Sequence, residues 1–259
     1  MQVWKRRLPE DPWILYDRQY YKELQSGSAQ SATKMVPELI RLVCPKSVVD
    51  VGCGLGAWLA EFQKYGVADV LGIDGGWVDK NALNIQPELF LASDLCMPLL
   101  LSRKFDLALT LEVAEHLPSE AAEQFVSNLV ALAPLVVFSA AIPYQGGDGH
   151  LNEQWPDYWA TKFATFGYQS LDYLRFKFWD DHQIDWWYRQ NIILYVRHDQ
   201  IQANPRLKTM IEQQPPKVLR LVHPENYTQW INIHHEPGLR WLLKALPSAT
   251  VRMIKRRLR

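Results

Sequence analysis

The spacing of apolar and polar positions changes several times along the chain, and each change marks an element. Ala32, Met35, Val36, Leu39, Ile40 and Val43 recur at helical spacing over 29–43, and Pro45 closes that helix. Short apolar runs at 47–51, 69–73, 89–92, 105–110 and 135–140 then read as buried strands. Between them, amphipathic stretches at 57–65, around 77–83 and at 119–132 read as helices, with Pro118 and Ser119 suited to a helix start. A further helix at 154–166 ends at Gly167. Strands that alternate with helices predict an α/β fold, a parallel sheet with helices on both faces.

Beyond Gly167 the pattern changes. Two β-rich runs, 168–178 and 191–197, have no helix predicted between them and read as an antiparallel hairpin at the sheet's edge. The intervening 179–190 reads as a long loop. Residues 199–259 contain Pro205, Pro215, Pro216, Pro224, Pro237 and Pro247 and read as a helical extension without its own core. The predicted organisation is an N-terminal helical cap (1–45), a ligand-binding core (46–198) and a basic C-terminal extension (199–259).

Composition narrows the class. With 48% hydrophobic residues in 259, the chain has ample material for a core and does not read as disordered. The apolar run 129–142 is shorter than the ~20 residues of a membrane-spanning helix and is interrupted by Pro134. The first ten residues carry no apolar segment behind their charges, so no signal peptide is expected. Cys44, Cys53 and Cys96 are odd in number and lack metal-ligand spacing. A cytoplasmic globular protein is the expectation. The formal charge of zero conceals an asymmetry. Seven of the 28 basic residues follow Glu236, where no acid occurs, leaving 21 basic against 28 acidic residues before them. That tail reads as a solvated helix or, with Trp241, Leu242, Leu243 and Leu246 on an apolar stripe, as a segment for peripheral membrane contact.

The chemistry gathers at strand ends. Val51-Gly-Cys-Gly-Leu-Gly-Ala-Trp58 runs from a strand through a glycine turn into a helix, and Gly52, Gly54 and Gly56 allow close approach of a ligand to the backbone. Through Ala57 the stretch also satisfies G-x-G-x-x-A, the dinucleotide fingerprint. Asp50 argues against that reading, because an anion at this point is a poor neighbour for a pyrophosphate and a good one for an amine or cation. Asp74 ends the second strand, where a carboxylate can accept two ribose hydroxyls, and Asp94 follows the third, placed to accept from an exocyclic amine. Each alone reads equally as a turn or cap aspartate; three at successive strand ends, on the ligand-binding edge of an open sheet, read as one site.

These residues resemble the class I S-adenosylmethionine-dependent methyltransferases over about 47–197. The resemblance implies a Rossmann-like seven-stranded sheet of order 3-2-1-4-5-7-6, with S-adenosylmethionine as cofactor. It implies that Asp50, Gly52, Cys53, Gly54 and Gly56 meet the methionine portion, that Asp74 and Gly75 hold the ribose, and that Asp94 and Leu95 border the adenine. Leu111 and Glu112, in Phe105-Asp-Leu-Ala-Leu-Thr-Leu-Glu-Val-Ala-Glu-His, would border the cofactor from the fourth strand. The stretch from Phe138 to Trp155 further resembles bacterial methyltransferase-domain proteins associated with glycan and natural-product modification. A small-molecule or glycan acceptor is therefore expected.

Methyl transfer to oxygen or nitrogen needs alignment and removal of a proton, commonly by histidine. His116, after Glu112 and Glu115, and His150, in the glycine-rich Gly146-Gly-Asp-Gly149 loop, are the candidates, and His150 is preferred because a hinged loop can close over an acceptor. Glu112-x-x-Glu115-His116 resembles the magnesium-ligand motif of certain ribose- and quinol-directed O-methyltransferases, but the same pair occurs in metal-free relatives and no metal is assigned. Trp155, Trp159, Phe163 and Phe166 have helical spacing and read as core, whereas 179–188, with Trp186, Trp187 and three aspartates, reads as a surface for a ring-bearing acceptor. Nucleic-acid methylation is disfavoured because the fourth strand ends Thr-Leu-Glu-Val, without the Asn/Asp-Pro-Pro-aromatic signature. A non-catalytic cofactor-fold scaffold is the reading from another class.

Overall fold

Seven strands in the order β3-β2-β1-β4-β5-β7-β6 form one sheet in the computed structural model, which describes residues 18–214 and 219–235. Strands β1 (Ser47–Val51), β2 (Asp69–Asp74), β3 (Phe90–Ala92), β4 (Leu107–Leu111) and β5 (Leu135–Ser139) pair in parallel, and β6 (Tyr168–Leu171) and β7 (Ile193–Arg197) join antiparallel. The expected order and the reversed last strand are both present.

Strands β1, β4 and β5 are buried at every position, which is why they read as continuous apolar runs instead of alternating ones. Their side chains alternate between two layers. Val48, Leu107, Leu109 and Val137 face helices α1 (Arg18–Val43) and α2 (Ala57–Lys64), packing with Met35, Val36, Leu39, Leu59 and Phe62. Val49, Val51, Ala108, Val136 and Phe138 face α3 (Ala122–Leu132) and α4 (Pro156–Thr165), packing with Phe125, Leu129, Trp159 and Phe163. Of the predicted aromatic stripe, Trp159 and Phe163 enter this layer, while Phe166 is exposed.

Three predicted elements differ. The stretch around 77–83 forms a single 3-10 turn at Lys80–Ala82, capped by Asp79, whose side chain accepts the Asn81 N–H. The preceding Gly75-Gly76 weakens any longer helix. The run 168–178 is a strand only to Leu171; Leu174 and Phe178, four apart, instead bury one face of a short helix, α5 (Leu174–Phe178). Its fully buried Arg175 pairs with Asp172 and donates to the carbonyls of Gln190 and Leu219. The supposed loop 179–190 contains most of α6 (Trp186–Asn191), in which Tyr188 is buried edge-on against Trp58 at 5.3 Å and Trp187 packs on the core.

Helices α7 (His198–Ala203) and α8 (Pro205–Gln213) place Ile201, Leu207 and Ile211 in the α1–α2 layer. Residues 222–235 belong to a separate unit holding α9 (Pro224–His235). The seven tail bases and Trp241, Leu242, Leu243 and Leu246 lie outside the described residues. Among the described residues no helix is long and apolar enough to cross a membrane.

Phe163 stacks on Tyr195 at 3.9 Å and meets Phe138 edge-on at 5.6 Å. Phe163→Ala is expected to cost about 3–5 kcal/mol, read as a lower urea midpoint at unchanged m-value.

Candidate active site

The turn between β1 and α2 is held open by backbone geometry. Gly52, Gly54 and Gly56 all adopt positive φ, at 85°, 53° and 81°. A Cβ on Gly52 would lie 2.3 Å from Val113, whereas one on Gly54 would meet nothing within 4 Å. Gly54 therefore faces open space on which a ligand can rest. The turn is tied to β2: the N–H groups of Gly52 and Cys53 donate to the Ile73 carbonyl at 2.7 and 3.2 Å, and Gly54 donates to Asp74 Oδ2 at 2.7 Å. Asp74 Oδ1 accepts the Gly75 N–H at 2.6 Å. Each Asp74 oxygen keeps a lone pair for a hydroxyl partner.

Asp50 is buried on β1, and among the described residues no cation balances it. Burial first, and the charge of Asp74 second, push its carboxyl up to about 8. Burial also raises Asp74, against the two backbone N–H groups that favour its anion, and raises the Cys53 thiol. A desolvated acid beside an open glycine turn is what a cationic ligand requires. Trp77 lies directly over Gly75, its ring within 1.9 Å of where a Cβ would stand, and remains 40% exposed. Asp94 is exposed, its Oδ1 accepting the Cys96 N–H at 2.9 Å, and Leu95 is buried beneath it. Buried Asn128 pins the loop that follows, donating to the Met97 carbonyl and accepting the Leu99 N–H.

The exit of β4 forms the other half of the site. Leu111 is buried, and Glu112 adopts φ 56°, an unfavourable conformation for a residue with a side chain, stabilised as its N–H donates to the Ser139 carbonyl and hydroxyl at 3.0 and 3.1 Å. The Glu112 carboxylate accepts from Asn191 at 3.1 and 3.2 Å and from Gln145 at 3.1 Å. Gln145 Oε1 in turn accepts from Gln190 and Asn191, both at 3.0 Å. Burial still raises the Glu112 carboxyl, since it outweighs these donors.

Glu115 is wholly buried, and among the described residues neither carboxylate oxygen makes a well-formed hydrogen bond, although the backbone of Ala141 and the Glu112 side chain lie close by. Burial, then the neighbouring Glu112, drives its carboxyl well above the usual range. His116 and His150 meet edge to face at 4.9 Å, and one ligand atom each from Glu115, His116 and His150 lies within 4.8 Å of the others. Burial, assisted by His150, lowers His116 to about 4, so it is neutral at physiological pH. His150 Nδ1 lies 2.9 Å from Glu153 Oε1. Burial pushes Glu153 upward, but His150 and the N–H groups of Tyr144 and Gly146 overcome it and hold the carboxyl below its usual range.

The structure thus brings Asp50, Cys53, Asp74, Gly75 and the three glycines together, and separately pairs His116 with His150. Glu112 is within electrostatic reach of Glu115 and His150, and the next residue, Val113, lies against Gly52 of the glycine turn. Asp94 and Leu95 sit on the neighbouring loop. The sequence reading missed Glu153, Gln145, Gln190, Asn191 and Trp77. Only Glu153 had a local signal, three residues after His150.

A parallel sheet with a reversed last strand, entered through a glycine turn between two acids, defines a class I S-adenosylmethionine-dependent methyltransferase. A family model described as a methyltransferase domain matches residues 18–191, and the chain belongs to that family. No curated protein matches it. Among solved structures, it is similar to DesVI of Streptomyces venezuelae (15% identity, TM-score 0.53, covering 70% of this chain and 99% of that one). It is also similar to a putative O-methyltransferase of Nostoc punctiforme (16% identity, TM-score 0.51, covering 73% and 61%) and to the methyltransferase domain of bacterial CtHen1 (21% identity, TM-score 0.47, covering 64% and 97%).

Asp50 makes the ligand-free protein pH-sensitive. Its folded carboxyl keeps its proton to about pH 8 while the unfolded chain ionises near 3.8, so ionisation favours the unfolded state increasingly between those values. Asp50→Asn is therefore expected to raise the thermal midpoint of the ligand-free protein at pH 8 and to leave it nearly unchanged at pH 4. An equal effect at both values would refute the assignment.

Proposed function

We propose that this methyltransferase acts on an oxygen or nitrogen of a small molecule or glycan, with His150 removing the acceptor's proton. The observation that carries the reading is that the β4 exit loop joins the two groups, with Val113 against Gly52 of the open glycine turn and Glu112 within electrostatic reach of His150. When bound, S-adenosylmethionine supplies an electrophilic methyl group. The residues fit it: Asp50 offers an unbalanced acid to the cationic methionine end, Gly54 offers open backbone, and Asp74 offers lone pairs to the ribose. Asp94 and Leu95 stand where the adenine would lie, and Leu111 and Glu112 border the cofactor from β4.

The protein's share of the chemistry is alignment and proton removal. Segments 112–118 and 140–155, which leave β4 and β5, contain Glu112, Glu115, Asp148 and Glu153 and no lysine or arginine. With Glu153 held as a carboxylate and no basic side chain beside it, such an edge disfavours phosphodiesters and carboxylates and accepts neutral or amine-bearing molecules, which supports a sugar, phenol or amine over nucleic acid. Exposed Trp77 and Tyr144 offer flat apolar faces at the same edge.

Calorimetric titration with S-adenosylhomocysteine tests the cofactor site. Asp74→Ala should weaken binding at least about tenfold to hundredfold, since it removes charged hydrogen bonds worth about 1.5–3 kcal/mol and releases the Gly54 turn. Unchanged affinity would sink the assignment. His150→Gln should retain that affinity but lose about 10²–10⁴-fold in turnover with whichever sugar, phenol or amine the wild type methylates.

A second reading is favoured by the cluster that the desolvated Glu115 carboxylate forms with His116 and His150. Two imidazoles and a carboxylate within 4.8 Å form a donor set that suits a divalent transition cation such as Mn²⁺ or Zn²⁺. Glu112, saturated by Asn191 and Gln145, stands outside that set. In this reading the cation lowers the acceptor's pKa and His150 is a ligand instead of a base. Mn²⁺ or Zn²⁺ should then raise the thermal midpoint of the wild type and not of Glu115→Gln; no shift with either ion would remove the reading.

A further inference from the structure

The loop that carries His150 is assembled around one carboxylate. Glu153 Oε2 accepts the Tyr144 N–H at 2.9 Å, and Oε1 accepts the Gly146 N–H at 3.0 Å while lying 2.9 Å from His150 Nδ1. Within 144–149, Tyr144, Gly146, Gly147 and Gly149 all have positive φ, at 71°, 78°, 150° and 77°. Glycine adopts positive φ without strain but has much freedom to lose, and Tyr144 is strained there, so the segment gains from a tether, which Glu153 supplies. The far side is tied as well, since the Leu151 and Asn152 N–H groups donate to the Glu115 carbonyl at 2.7 and 2.9 Å.

This leaves the His150 ring fixed on three sides. Glu153 holds its Nδ1 edge, His116 meets it edge to face, and Gly147 lies against its Nε2 edge. A Cβ on Gly147 would stand 2.3 Å from Nε2, so a glycine there leaves that atom clear of side chain. In neutral imidazole one nitrogen carries the proton and the other the lone pair. A carboxylate beside Nδ1 can only accept, so the proton is drawn to Nδ1 and the lone pair to Nε2.

We propose that Glu153 is the positioning residue of the methyl-transfer site: it holds the Tyr144–His150 loop in place and selects the Nδ1–H tautomer of His150, presenting the Nε2 lone pair toward the acceptor. The inference rests on the reading that His150 faces the acceptor. The reaction follows with balance: the acceptor's proton passes to Nε2, giving an imidazolium whose Nδ1–H remains on Glu153. The opposite tautomer would present an N–H and could take no proton.

The test needs no acceptor. Nitrogen-15 correlation spectra of the full chain at neutral pH, with the His150 signals assigned by their loss in His150→Gln, read the tautomer directly. The wild type is expected to show Nδ1–H. Glu153→Ala should move the population toward Nε2–H, the form solvated imidazole prefers, while S-adenosylhomocysteine affinity stays within about twofold because the cofactor contacts are untouched. Glu153→Gln, which keeps one acceptor oxygen at nearly the same volume, should preserve part of the wild-type population and serves if the alanine variant does not fold. An Nε2–H signal in the wild type, or a tautomer unmoved by both substitutions, overturns the proposal. Full turnover in His150→Gln would instead overturn the base reading and leave the tautomer result standing by itself.

Discussion

The glycine turn after β1 and the loop after β2 both depend on the Asp74 carboxylate. One oxygen accepts from Gly54 and the other from Gly75, so a single side chain at the end of β2 joins the glycine turn after β1 to its own exit loop. The turn cannot hold itself, because Gly52, Gly54 and Gly56 all occupy conformations with positive φ and lose more entropy on ordering than other residues would. Supplying acceptors at 2.6–2.7 Å from a buried anion stabilises that arrangement and keeps Gly54 open toward the ligand.

The same edge accumulates desolvated acids. Asp50, Asp74, Glu112 and Glu115 are all raised chiefly by burial, which outweighs the donors that Asp74, Glu112 and Glu115 meet. Buried carboxylates without partners destabilise a fold, so their presence marks places where function outweighs stability. The donors also differ in kind. Asp74 is served by backbone N–H groups from adjacent loops, whereas Glu112 is served by the side-chain amides of Gln145 and Asn191. That amide network couples the exits of β4 and β5 to the start of β7, so the reversed hairpin that closes the sheet also steadies those exits.

The acidic, arginine-free character of the β4 and β5 exit loops has a further consequence for electrostatics. Substrate cannot be drawn in by a positive field, and the cationic cofactor is favoured by the acids that repel anionic acceptors. In the proposed reading, recognition of the acceptor falls to shape, hydrogen bonding and exposed rings such as Trp77 and Tyr144.

Much of this was legible before any coordinates. The alternation of strands with helices depends on local periodicity, and the glycine turn with Asp50, Asp74 and Asp94 depends on residues placed next to strand ends, so both were visible in the chain alone. Reading failed where composition and periodicity pointed different ways. Aromatic residues made 173–178 look like strand, although burial of Leu174 and Phe178 four apart, with Arg175 satisfied by distant carbonyls, makes it helix. The same crowding of aromatics disguised α6 as a loop. The catalytic edge needed the tertiary structure for a different reason. Asn191 reaches Glu112 across 79 positions, and Gln190 reaches Gln145 across 45, and no spacing rule connects residues so far apart. The amino-acid sequence determined the sheet and where its glycine turn lies; only the folded chain decided which carboxylates are desolvated and which groups meet His150, because desolvation and hydrogen bonding are properties of neighbours in space.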